Sequence, residues 1–240
     1  MVIYGINPVL EALRADRVKE VRVGERSDGR ITEVLTLARE RGVRVSRVSA
    51  DALDRDSQRG VHQGVVAVVE DAADYSIQEL VRGARGVPLI VVLDGVEDPH
   101  NLGAILRAAD GAGVDGIVVQ SRRAAFLGGA AAKTSAGALA HAKIATVVNI
   151  ARAMDELKES GVWIVGLAGE AQTPYDQIDF KGPTAIVFGA EGAGLRRLVR
   201  EKCDFLAAIP MRGHVQSLNV SVAAGITLFE AARQRRGNAR

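Results

Sequence analysis

Two stretches near the end of this chain decide how it is read: Ala185-Ile-Val-Phe-Gly-Ala-Glu-Gly-Ala-Gly-Leu195 and Ile209-Pro-Met-Arg-Gly-His-Val-Gln-Ser-Leu-Asn-Val-Ser-Val-Ala-Ala-Gly225. Each opens with an apolar, strand-like run and breaks at a glycine-punctuated turn. The first turn carries Glu191, the second Ser217 and Asn219, and a helical pattern follows each. Glycine lets backbone approach a ligand closely, and α/β sheets bind ligands beyond the carboxyl ends of their strands. A strand, a turn and a helix repeated in so short a span point to a small-molecule site built mainly from backbone, with a few side chains for chemistry.

Upstream, Pro88-Leu-Ile-Val-Val-Leu93 is a continuous apolar run, the pattern of a parallel strand buried on both faces. It leads through Asp94-Gly-Val-Glu-Asp-Pro-His-Asn101 into a helix expected over Asn101 to Ala112, with Leu102, Ile105, Leu106 and Ala109 on one face. Asn101 stands at that helix start and Arg107 about two turns on, where a guanidinium would face the binding crevice. Further strands are expected at Gly116–Val119, Val162–Leu167 and Thr184–Phe188, and helices at Ala151–Glu159 and Leu218–Gln234. The alternation implies a mainly parallel sheet with helices on both faces. An alanine- and glycine-rich stretch, Ala124 to Ala142, reads as a closely packed helix.

Residues 1–70 form a separate, smaller α/β pattern. Pro8–Arg14 reads as a short helix capped by Asn7 with proline at its first position. Strands are expected at Val18–Val23, Val43–Val48 and Val65–Val69, and an amphipathic helix at Ile31–Arg41. Residues 71–87 are polar and broken and read as a linker with one short helix, so the division is 1–70, 71–87 and 88–240.

The chain has 240 residues, 48% hydrophobic and 25% charged, the balance of a soluble globular protein with an ample core. No apolar run approaches the ~20 residues needed to cross a bilayer, and no signal peptide is visible at Met1-Val-Ile-Tyr-Gly5. The one cysteine, Cys203, fits a reducing cytoplasm and reads as a buried small residue. A net charge of +2 argues weakly against a strongly basic nucleic-acid coat. Arginine outnumbers lysine, with Arg39, Arg41, Arg44, Arg47, Arg55 and Arg59 in the first third and a run from Arg233 to Arg240 at the end. Acidic residues interleave with the first set, so a solvated surface and an RNA-facing patch both remain open.

Several chemistries do not fit. Gly189-Ala-Glu-Gly-Ala-Gly194 runs G-x-x-G-x-G rather than the dinucleotide G-x-G-x-x-G, and it puts an acid where a pyrophosphate needs positive potential. No G-x-S-x-G surrounds Ser217. His62, His100, His141 and His214 lack metal-ligand spacing, so no metal is expected.

Taken together, the blocks Asp98–Arg107, Val187–Leu195 and Ile209–Gly225 resemble the three motifs of the SpoU family of RNA ribose 2′-O-methyltransferases, in the SPOUT superfamily. The opening Ile3-Tyr-Gly-Ile-Asn-Pro-Val-Leu-Glu-Ala-Leu13 and His62-Gln-Gly-Val-Val66 resemble that family's substrate-binding domain, which is similar to a small ribosomal protein. The arrangement is most similar to members that methylate a guanosine of large-subunit ribosomal RNA. The resemblance implies a C-terminal α/β trefoil-knot methyltransferase domain behind a small N-terminal α/β RNA-binding domain. It implies a homodimer that uses S-adenosylmethionine, and with the composition the expectation is a cytoplasmic protein that binds RNA and needs no metal or membrane. It assigns cofactor contacts to Gly189, Ile209 and Leu218, and the reactive set to Asn101, Arg107, Glu191, Ser217 and Asn219.

Arg107 then clamps an RNA phosphate and stabilises the developing alkoxide, since guanidinium holds its proton too firmly to act as a base. Ser217 and Asn219 orient the ribose, and Glu191 holds Arg107 or a backbone amide. Residues 88–240 are expected to fold and bind cofactor without the first segment, which captures RNA. Methylation of transfer RNA, and a non-catalytic RNA-binding assembly factor with a knotted domain, are the alternatives the sequence leaves open.

Overall fold

A computed structural model describes residues 1–24, 29–70, 74–121, 131, 134, 135 and 137–236. The alanine- and glycine-rich stretch therefore lies largely outside the described residues.

The N-terminal part holds strands β1 (Val2–Tyr4), β2 (Val18–Val23), β3 (Arg44–Arg47) and β4 (Val65–Val69) and helices α1 (Ile6–Arg14), α2 (Gly29–Glu40) and α3 (Ala50–Asp56). The sheet runs β1-β4-β2-β3, with β4 antiparallel to both neighbours and β2 parallel to β3. The helix expected from Pro8 begins two residues earlier. Gly5, at φ 94°, occupies the cap position, Asn7 lies within the first turn, and the Ile6 N–H is satisfied at 3.1 Å by Oε1 of Gln63. The cap is supplied from another part of the chain, so Asn7 does not have the role its position in the sequence implied.

The second part contains α4 (Ile77–Arg82), β5 (Leu89–Asp94), α5 (Pro99–Ala112), β6 (Gly116–Gln120), β7 (Ile144–Val147), α6 (Ile150–Glu159), β8 (Trp163–Leu167), β9 (Thr173–Pro174), β10 (Thr184–Gly189), α7 (Arg197–Lys202), β11 (Phe205–Ala208) and α8 (Val220–Arg236). The seven strands run in the order β7-β6-β5-β10-β8-β11-β9, every pair parallel. Strand period explains the continuous apolar runs. Leu89, Val91 and Leu93 of β5, with Ile186 and Phe188 of β10, face the layer of α5 and α8. Ile90, Val92, Ala185 and Val187 face α4 and α6 on the other side.

Three local differences from the sequence reading have physical causes. Helix α5 starts at Pro99 because Asp98 is the cap, its carboxylate accepting the N–H groups of His100 and Asn101; Asn101 is not the capping residue. Helix α8 starts at Val220, since Asn219 turns its Oδ1 onto the Ser221 N–H at 2.9 Å and ends the preceding loop. The polar stretch before β5 is no loose tether: Ile77 and Leu80 of α4 are buried with Val118 of β6 and Met154 of α6, and Asp74 accepts the Thr146 N–H at 2.8 Å. Among the described residues no helix is long and apolar enough to cross a membrane.

The two parts meet through α1 and the segment just before β7. Glu11 contacts His141 at 3.2 Å, Arg17 donates to the Ala140 carbonyl at 3.0 Å, and Gly137, at φ 99°, lies against the Glu11 side chain.

Candidate active site

The carboxyl ends of β5 and β10 lie side by side, with Asp94 and Gly189 in register. From β10 the chain makes a tight turn in which Ala190 and Gly194 exchange backbone hydrogen bonds at 3.1 and 2.8 Å. Gly192 and Gly194 are left-handed at φ 73° and 64°, a conformation glycine adopts without strain. At Gly189 the constraint is space: a Cβ there would come within 2.2 Å of the Gly194 carbonyl carbon. The turn is accordingly a surface of backbone with no room for a side chain at its root.

Three polar side chains from three distant segments meet beside this turn. Asn219, just before α8, donates from Nδ2 to Asn101 Oδ1 at 2.9 Å and to Glu191 Oε1 at 2.6 Å. Its Oδ1 accepts from the Ser221 N–H at 2.9 Å and from Ser221 Oγ at 2.5 Å. Both amide donors and the carbonyl of Asn219 are thus engaged, which fixes the side chain in one orientation. Asn101 is buried at 7% exposure, so its carbonyl depends on Asn219 for a partner.

The other residues singled out in the sequence make no hydrogen bond to this junction among the described residues. Arg107 is exposed on α5 and makes no ion pair among the described residues, so Glu191 bonds Asn219 rather than Arg107. Ser217 is exposed in the loop before α8 and makes no hydrogen bond among the described residues. Gly189, Ile209 and Leu218 are half-buried, at the ends of β10, of β11 and of the approach to α8. No group of three or more His, Cys, Asp or Glu that could hold a metal ion occurs among the described residues.

One pair escaped the sequence reading. Asp94, fully buried at the end of β5, takes the backbone N–H of Arg196 at 2.8 Å and its Nε at 2.5 Å. The two are 102 positions apart. The signal available in the sequence was an acid closing an otherwise apolar strand.

Comparison with known proteins identifies the class to which this fold and site belong. The profile of the SpoU rRNA Methylase family matches residues 88–229, and that of the RNA 2′-O ribose methyltransferase substrate binding domain matches residues 2–75. The chain belongs to the SpoU rRNA methylase family. Among its relatives, the 23S rRNA (guanosine-2′-O-)-methyltransferase RlmB of Xanthomonas campestris is 46% identical, over 98% of this chain and 97% of that one. RlmB of Pseudomonas aeruginosa is also 46% identical, over 97% and 96%. Among solved structures, the SpoU methyltransferase AviRb from Streptomyces viridochromogenes, in complex with the cofactor AdoMet, superimposes with a TM-score of 0.83. It is 28% identical, with 99% of this chain and 91% of that one covered.

Proposed function

We propose that this protein methylates the ribose 2′-hydroxyl of a guanosine in large-subunit ribosomal RNA, with S-adenosylmethionine as donor. The observation that carries the reading is the junction of Asn101, Glu191 and Asn219 beside the Gly189 turn, one residue from each of the three sequence blocks. Near full-length similarity to relatives named for that reaction supports the substrate.

Gly189, Ile209 and Leu218 would hold the cofactor, which supplies a methyl group on a positively charged sulfur and so requires no protein nucleophile. What the chain must provide is alignment and a reactive oxygen. Asn219, locked by Asn101, Glu191 and Ser221, is a rigid feature against which the ribose is placed. Arg107, exposed and without an ion pair among the described residues, takes the neighbouring RNA phosphate and offsets the charge that develops as the 2′-hydroxyl loses its proton. Ser217 lies in the same loop as Asn219 and contacts the ribose on RNA binding. The first part of the chain captures the RNA.

In this reading the C-terminal domain is a trefoil knot. Its support is a strand order that sets β10 between β5 and β8, together with a final helix that returns to pack along α5. The protein acts as a homodimer in the cytoplasm, and the outward face of α8 supports the dimer, with Val222 and Phe229 49% and 48% exposed.

The test is methyl transfer to ribosomal RNA from cells lacking this gene, followed by nucleoside analysis. Wild-type protein is expected to yield 2′-O-methylguanosine at one position. Asn219→Ala is expected to lower kcat about 10²-fold by removing the partner of Asn101 and Glu191 together. A base-methylated product, or modification of transfer RNA alone, would refute the reading.

A further inference from the structure

We infer that Asp94 and Arg196 are a positioning pair, stapling the Ala190–Leu195 turn into its cofactor-binding shape. The inference rests on the reading that S-adenosylmethionine lies against Gly189.

The end of β5 touches both ends of the turn. At the entry, Asp94 is in register with Gly189 across the β5–β10 ladder. At the exit, the Asp94 carboxylate accepts from the Arg196 backbone N–H at 2.8 Å and from Nε at 2.5 Å, with Nη2 also 2.5 Å away. Asp94 is entirely buried while the Arg196 side chain is 51% exposed. A buried carboxylate is tolerated only when paired and hydrogen-bonded, and among the described residues the side-chain partners of Asp94 all come from Arg196.

Between these two points the turn is intrinsically soft. Three of its residues are drawn from glycine and alanine alone at 192–194, and two left-handed glycines give the free chain many alternative paths. Two further contacts narrow the choice. Leu195 packs toward β8, where a Cβ on Gly166 would meet its Cδ1 at 2.8 Å. Gly95, left-handed at φ 87°, lies against Ala190, 3.3 Å from its Cβ to where a Gly95 Cβ would be. The Asp94–Arg196 bonds are the polar closure of this clamp. Because Glu191 sits inside the clamped segment, its bond to Asn219 depends on the same closure. Preorganisation of this kind acts on affinity by sparing the ligand the cost of ordering its own site.

Arg196→Ala, Asp94→Asn and the double variant separate positioning from general stability. S-adenosylmethionine binding is measured by calorimetry on the full-length chain at 10 °C, alongside thermal melting. Arg196→Ala strands a buried charge, so both melting temperature and affinity fall. The double variant removes that charge and is expected to melt near wild type while still binding about 10-fold or more weakly. Wild-type affinity in Arg196→Ala, or recovery of affinity together with melting temperature in the double variant, would overturn the proposal. If the Asp94 variants do not fold, Arg196→Lys carries the test. It keeps a cation beside Asp94, is expected to melt near wild type and bind several-fold more weakly, and binding at full strength refutes the pair's role. Failure of the wild-type protein to bind S-adenosylmethionine would refute the proposed function and is distinct from either result.

Discussion

Asn219 shows how much of this site hangs on one side chain. Its amide has two N–H donors and two lone pairs, and all four are spent on Asn101, Glu191 and Ser221. No other residue type of that size offers two donors and two acceptors, so the position tolerates neither Asp nor Leu without unmaking part of the junction. Cys203 illustrates the opposite case, a reactive atom made inert by its surroundings. Burial pushes its thiol from the ordinary 9.0 up to about 12, and Sγ lies 3.3 Å from the Val199 carbonyl. At pH 8 its reaction with Ellman's reagent is expected to be roughly 10²-fold or more slower in the folded protein than in urea, because the thiolate is the nucleophile. The folded value lies above the unfolded one, so this group's contribution to stability is complete below about pH 9 and is lost as pH rises toward 12. Equal labelling rates with and without urea would show that the thiol is not buried.

Among the elements, α8 carries two unlike faces. Ala224, Thr227, Leu228 and Ala231 are buried toward α5, while Val222, Ile226 and Phe229 form a second, outward stripe at helical spacing. Its last turn is pinned to the sheet layer. Gln234 accepts the Phe180 N–H at 2.9 Å and donates to the Ile178 carbonyl at 3.0 Å. Arg235 donates to the carbonyls of Phe180, Val87, Pro88 and Gly182. The C-terminal arginines are therefore not a uniform RNA-facing run: Arg235 is structural, and Arg233 pairs with Glu230 at 2.7 Å. The outward stripe is the place to test assembly. If the proposed dimer forms through this face, Val222→Asp, which leaves the inner face untouched, should give a species of 25.4 kDa in sedimentation where the wild type gives twice that mass. Its melting temperature should remain within a few degrees of the wild-type value at low concentration. A wild-type protein that is monomeric and fully active would contradict the dimer.

At the scale of the whole molecule, the division into parts is set by packing rather than by composition. The polar segment that reads as a linker contributes Ile77 and Leu80 to the core of the larger unit, where Leu80 fills the space left by Gly116. We therefore propose a cut near residue 74, ahead of α4, for the fragment that folds alone. Residues 74–240 are expected to fold and bind S-adenosylmethionine. Residues 88–240 are expected to melt about 10 °C or more lower, since loss of two buried aliphatic side chains costs several kcal/mol. Both fragments should lose most RNA affinity, and RNA binding by the full chain should weaken steeply with salt while cofactor binding does not. Equal melting of the two fragments would return α4 to the status of a tether; full RNA affinity in residues 74–240 would remove the first part from substrate capture.

The sequence by itself determined the kind of molecule this is. Apolar runs at Leu89–Leu93 and Thr184–Phe188 announce strands buried on both faces, because side-chain burial writes its period directly into the chain. The three polar-and-glycine blocks announce the family, since each is a local turn whose residues are adjacent in sequence. The short strands β7 and β9 went unseen, being too brief to show a period and held in place by neighbours on the sheet. What only the tertiary structure decided are the partnerships. That Glu191 meets Asn219 and not Arg107, that Asp94 meets Arg196, that Gln63 and not Asn7 completes the start of α1, and that α4 belongs to the core all follow from strand order and helix packing. Such contacts join residues tens to more than a hundred positions apart. A pattern of burial along the chain reports which way a side chain faces, and carries no information about which distant group it will face.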